Sequence, residues 1–156
     1  MIKIYQKTIR ETELKELDEF KIGSWINVEA PTEKELDVLT ERFSLDKGHL
    51  KDALDPHEVP RLEIEGETIY IFTRVPYRKE EKITTLPLLV ILGGDFLMTV
   101  ARNPHNFLET FKANKVADFH TTQKVKVFIQ IFSGINSVYG NFITESTGES
   151  GTSAPI

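Results

Sequence analysis

No cysteine occurs among the 156 residues. That absence excludes disulfides, cysteine-based zinc sites and thiol nucleophiles. Long apolar runs are missing too. The longest, Leu86 to Leu92, is far shorter than the roughly 20 residues a bilayer-spanning helix needs. The opening stretch MIKIYQKTIRETELKEL lacks the apolar core of a secretory signal. Basic residues are outnumbered, 19 Lys and Arg against 24 Asp and Glu, for a net charge of −5. A nucleic-acid binder needs a basic stripe to neutralise phosphates, so this balance argues against one, and more weakly against docking on anionic lipid. There is no GxSxG elbow, no phosphate-cradling glycine loop and no HExxH. The expectation is a soluble cytoplasmic chain that is not an enzyme.

What is present is the patterning of one α/β domain. With 40% hydrophobic and 28% charged residues, the chain is long enough to bury a core. Ile2 and Ile4 alternate with polar neighbours, a first strand. Leu14, Leu17 and Phe20, three apart, predict a short amphipathic helix over 11–20. Trp25, Ile26 and Val28 mark a strand that ends at Ala30-Pro31. Thr32 and Glu35 spell a capping box, and Leu36, Leu39 and Phe43 line the helix behind it. Asp46 can cap a second short helix carrying Leu50, Ala53 and Leu54, which Asp55-Pro56 stops.

The period then changes. Leu62 and Ile64, a Gly66 turn, and Ile69 to Val75 read as a hairpin. Arg78 to Lys82 reads as a charged loop. Leu86 to Leu92, the Gly93-Gly94-Asp95 turn and Phe96 to Val100 form a second hairpin. Its continuous apolar run implies a strand covered on both faces. Asn103-Pro104 opens a helix with Phe107, Leu108 and Phe111 inward. Thr121 or Thr122 opens the longest helix, with apolar residues at helical spacing from Val125 to Phe142. The expected class is α/β, a mixed parallel/antiparallel sheet with helices on both faces, within residues 1–143. The Ser, Thr, Gly and Glu-rich residues 144–156 are expected to be a flexible tail.

Candidate chemistry is sparse. The four histidines, His49, His57, His105 and His120, are scattered, and His105 is expected at the surface. Asp52, Asp55, His57 and Glu58 either bind a divalent ion or merely shape a solvated turn before Pro56. Asp52 stands mid-helix, where aspartate is a poor helix former. It is either a solvated carboxylate or one presented to a neighbouring subunit, where Mg²⁺ bridges two acids. Arg61 and Arg74 can each pair with a nearby carboxylate, a structural role.

The segments WINVEAPTEKELDVLTERFSL, HLKDALDPHEVPRLE, IYIFTRVPY, GGDFLMTVARNP and FIQIFSGINSVYGNFI follow one another across residues 20–143. In order and spacing they resemble the cytoplasmic N-terminal domain of CorA-type magnesium/cobalt transporters. Trp25 to Val28, DALDPHEVPR and Tyr139 are the most specific parts. The resemblance implies a three-layer αβα sandwich at the cytoplasmic face of the cell membrane. It implies a stalk helix and two membrane helices with a Gly-Met-Asn motif, none of them within these residues. It implies homopentamers that conduct Mg²⁺, often with Co²⁺, and that close when Mg²⁺ binds between subunits. These residues alone are expected to form a monomer or weak dimer.

In that scheme Asp52 contributes to the intersubunit metal site, with weak affinity because Mg²⁺ dehydrates reluctantly. Lys51 stands where the family often carries Glu, and Ser133 and Ser137 where some members are acidic. Three alternatives stand beside this one: a zinc- or other-metal-transporting sibling, a freestanding interaction module, and a metal-dependent hydrolase built on the Asp52, Asp55, His57 and Glu58 cluster.

Overall fold

The structure, a computed structural model, describes residues 1–149. Strands β1 (Ile2–Gln6), β2 (Lys15–Leu17) and β3 (Ser24–Glu29) come first. Helices α1 (Glu33–Phe43) and α2 (Lys47–Asp52) follow. Four strands then run consecutively, β4 (Arg61–Glu65), β5 (Thr68–Lys79), β6 (Lys82–Leu92) and β7 (Phe96–Ala101), before helices α3 (Asn106–Lys112) and α4 (Lys124–Glu149). All seven strands join one sheet in the order β2-β1-β3-β7-β6-β5-β4. The β3–β7 pair is parallel and the others are antiparallel. The α1–α2 crossover therefore carries the chain from mid-sheet to the far edge, and β4 to β7 meander back.

Alternation along the strands splits the core in two. Ile26, Val28, Tyr70, Phe72, Met98 and Val100 pack against Leu36, Leu39 and Leu50 of α1 and α2. Trp25, Leu88, Val90 and Leu97 pack on the opposite face against Leu108 and Phe111 of α3 and Val127, Ile131 and Ile135 of α4. The result is the expected three-layer αβα sandwich. Under α3 a polar chain crosses the buried sheet. Trp25 Nε1 donates to Thr99 Oγ1 at 2.9 Å, and that hydroxyl donates to Asn27 Oδ1 at 2.8 Å. Asn27 Nδ2 donates to Glu29 Oε1 at 2.9 Å, where Lys112 Nζ also donates at 2.7 Å. Every buried group in it finds a partner, as low-dielectric interiors demand.

Five local expectations change. Residues 11–20 form a turn and the edge strand β2, not a helix. Leu14 packs into the α3–α4 side of the core and Phe20 into the α1–α2 side, a division that one helical stripe could not make. The Arg78 to Lys82 loop is a two-residue turn, because β5–β6 pairing continues out to Lys79 and Lys82. Helix α3 starts at Asn106, past Asn103-Pro104, and α4 starts at Lys124. Thr121 instead receives the amide of Lys7 on its hydroxyl at 2.8 Å and sits buried. Residues 144–149, expected in a flexible tail, continue α4. Thr144 there donates its hydroxyl to the Gly140 carbonyl at 2.9 Å. Adding residues to a nucleated helix is easy compared with starting one. Residues 150–156 of the expected tail lie outside the described residues.

Candidate metal centre

Helix α2 begins at Asp46, whose side chain accepts the His49 amide at 3.2 Å. Asp46, His49 and Asp52 follow at three-residue steps, so they share a face. Beneath that face runs β4, whose alternate residues Arg61, Glu63 and Glu65 point the same way. The helix and the edge strand meet as two complementary rows. At one end His49 Nε2 lies 2.9 Å from Glu65 Oε1. At the other, Arg61 Nη2 donates to Asp52 Oδ2 at 2.8 Å.

Arg61 organises its end of the seam. Its partner in the β-ladder is Phe72, and its guanidinium lies 3.9 Å from the centre of that ring. It also bonds Glu58 through Nη1 and Glu63 through Nε, the latter at 3.3 Å. Three carboxylates thus share one cation, and the group retains surplus negative charge. Asp52 is about half exposed, at 45% of its side chain. Among the described residues its Oδ1 has no hydrogen-bond partner.

The turn after α2 is held separately. Arg74 donates to the carbonyls of Pro56, at 3.0 Å, and Glu58, at 2.7 Å. It also bonds the Thr85 carbonyl and hydroxyl. Its own carbonyl accepts from the Tyr139 hydroxyl of α4 at 2.9 Å. A continuous hydrogen-bonded path therefore links the turn beside Asp52 to the long helix.

Of the four candidate ligands around Pro56, Asp52 and Glu58 come together through Arg61, while Asp55 and His57 do not join them. Asp55 Oδ1 accepts the His57 amide at 2.9 Å, and both residues are exposed. Lys51 lies 3.5 Å from Glu33 of α1. Ser137 donates to the Ser133 carbonyl at 3.1 Å, inside α4. His105 is buried, contrary to expectation, with Nε2 donating to the Pro87 carbonyl at 3.2 Å. Burial holds its pKa below the ordinary imidazole value, against the opposing pull of that carbonyl and of Glu29. The sequence marks Arg61 as able to pair with a nearby carboxylate but not that it gathers three, because which strand lies under α2 is decided by tertiary packing. A groove of about 560 Å³ lies between α3 and α4, beside Phe107, Gly134 and Val138. It is remote from these acids, and a hydrated cation held by surface carboxylates needs no such cavity.

The αβα sandwich is a fold shared with solved structures of transporter proteins. The soluble domain of CorA from Methanocaldococcus jannaschii superposes with TM-score 0.79 at 22% identity, over 96% of this chain and 61% of that one. The complete CorA magnesium transporter of the same organism gives 0.77 at 19%, over 96% and 48%. The ZntB cytoplasmic domain from Vibrio parahaemolyticus gives 0.69 at 13%, over 94% and 63%. These likenesses establish the fold, and the chain spans between about half and two thirds of each. No curated protein matches by sequence. The family description "CorA-like Mg2+ transporter protein" matches residues 21–149. The chain belongs to the CorA-like Mg²⁺ transporter family, a family of divalent-cation transporters. Among the described residues no helix is long and apolar enough to cross a membrane.

Proposed function

We propose that this chain is the regulatory domain of a CorA-type transporter, lying at the cytoplasmic face of the membrane. Asp52 is the residue through which it senses Mg²⁺ between identical subunits of a pentamer. The observation that carries the reading is the half-exposed Asp52 carboxylate, one oxygen bound by Arg61 and the other free of partners among the described residues, on a family fold. Acids on adjacent subunits repel one another. A divalent ion between them offsets the repulsion and favours the closed assembly, a population shift set by differential affinity. An all-oxygen, water-rich site suits Mg²⁺ better than a softer ion. Co²⁺ is the second ion expected to use it. No catalytic role is proposed for Asp52, Asp55, His57 and Glu58.

The test is Mg²⁺ uptake by cells that express the transporter carrying this domain. Asp52→Asn should leave uptake intact but weaken its shut-off at high internal Mg²⁺. Unchanged shut-off would remove the sensing role. If Zn²⁺ were carried in preference to Mg²⁺, the zinc-transporting alternative would replace the magnesium one.

A further inference from the structure

The other end of the α2–β4 seam carries a different donor set. Asp46, His49 and Glu65 place one ligand atom each within 4.8 Å of one another. Among the described residues this is the one group of three His, Cys, Asp or Glu side chains so arranged. It is not merely an acidic patch, because one donor is an imidazole held in place by packing. The His49 ring lies 4.6 Å from that of Tyr70 and 5.9 Å from that of Phe72, with 14% of the side chain exposed.

The carboxylates are also placed. Asp46 uses Oδ1 to cap α2, while Oδ2 has no hydrogen-bond partner among the described residues. Glu65 ends β4 and reaches His49 from the strand. A buried hydroxyl is aimed at the same corner. Tyr70, 1% exposed, accepts the Asp46 amide at 3.0 Å, and its own proton has no acceptor among the described residues. A donor in that position can orient a coordinating carboxylate from behind, as outer-shell groups commonly do.

We propose that Asp46, His49 and Glu65 form a second cation site, within one subunit, for a borderline transition-metal ion such as Zn²⁺ or Co²⁺. One imidazole nitrogen with two carboxylates is a set that such ions accept, leaving a coordination position for water. Mg²⁺ prefers oxygen donors and keeps its waters, so it competes poorly here. The ion takes the Nε2 lone pair of the neutral imidazole, whose one ring proton then resides on Nδ1. The site shares no residue with the Asp52 site, which sits one turn further along α2 against Arg61.

The experiment is titration of Co²⁺ into the 156-residue chain, read by visible absorption, with Zn²⁺ as competitor. The intense bands of low-symmetry, four- or five-coordinate Co²⁺ should appear, saturate at one ion per chain and be bleached by Zn²⁺. His49→Ala and Glu65→Gln should each weaken binding by about tenfold or more. Glu65→Gln, at an exposed strand end, is expected to stay folded by circular dichroism and so decides the matter even if His49→Ala does not. A spectrum that remains that of the pale hydrated ion, or bands that persist in Glu65→Gln, would overturn the proposal. Because the readout is Co²⁺ bound by a single chain, it can succeed where Mg²⁺ sensing through Asp52 fails, and the reverse.

Discussion

Arg61 Nη2 donates to Asp52 Oδ2 at 2.8 Å, so the candidate sensing carboxylate already has a cation beside it. The same guanidinium rests on Phe72 and also bonds Glu58 and Glu63. A divalent ion arriving at Asp52 must either use the free Oδ1 or compete with this built-in counter-charge. In the proposed sensing role, the resident arginine would keep affinity low.

Replacing Arg61 separates these roles. Arg61→Ala should cost about 1–2 kcal/mol of stability, from one cation–π contact and partly exposed ion pairs. It should also tighten Mg²⁺ binding severalfold, since three carboxylates lose their shared cation. Chemical denaturation and calorimetry on the same variant check both. Weaker binding would mean that Arg61 positions Asp52 and does not compete for it.

Acid sensitivity should begin with His105. Its buried ring is held below the ordinary value of 6.5, so it stays neutral in the fold while the unfolded chain takes up a proton. The stabilisation is therefore complete above that value and declines as pH falls through it towards the folded-state pKa. Melting temperature against pH should show this loss in the wild type and a flatter curve between about pH 7 and 5 in His105→Gln. Parallel curves would assign the acid loss to other groups.

The Glu29–Lys112 pair acts at lower pH. Burial disfavours the Glu29 charge, but bonds from Lys112 and Asn27 outweigh it and leave the pKa lowered. Its contribution is present above the ordinary carboxylate range and is lost on acidification towards the folded-state pKa. Lys112→Met leaves a largely buried carboxylate without its cation. A loss of about 2–3 kcal/mol is expected, given that both side chains keep slight exposure, with acid unfolding starting at higher pH.

The β6–β7 turn offers a matched comparison. A Cβ on Gly93 would lie 2.3 Å from the Phe96 ring, which is itself part of the core, whereas one on Gly94 meets nothing within 4 Å. Gly93→Ala should cost about 1–3 kcal/mol through overpacking. Gly94→Ala should be close to neutral. Equal denaturation midpoints for the two would show that the turn readily gives way.

Where signals are local, the sequence could be read directly. Thr32 and Glu35 make both bonds of the capping box, and Asp46 caps α2 as its type and position suggested. The apolar run Leu88 to Ile91 is buried on both sheet faces, as continuous hydrophobicity implies. Signals that need a second element were not readable. Leu14 and Phe20 have helical spacing, yet they serve opposite sides of the sheet. His105 looked like a surface residue because its cover, including the Pro87 carbonyl, comes from a distant strand. The His49–Glu65 and Asp52–Arg61 contacts need a three-residue helical row laid over a two-residue strand row. Each row is visible in the sequence, but their juxtaposition is not. The CorA-type resemblance singled out Asp52, and the sequence singled out Arg61 as able to pair with a carboxylate, but neither joined the two.

Calorimetric titration of Mg²⁺ into the chain and its Asp52→Asn variant, with sedimentation of the same samples, tests the sensing role most directly. Weak binding that promotes self-association in the wild type, and is reduced about tenfold or more in the variant, is the expected result. Identical Mg²⁺ binding and identical sedimentation for the two chains would contradict it.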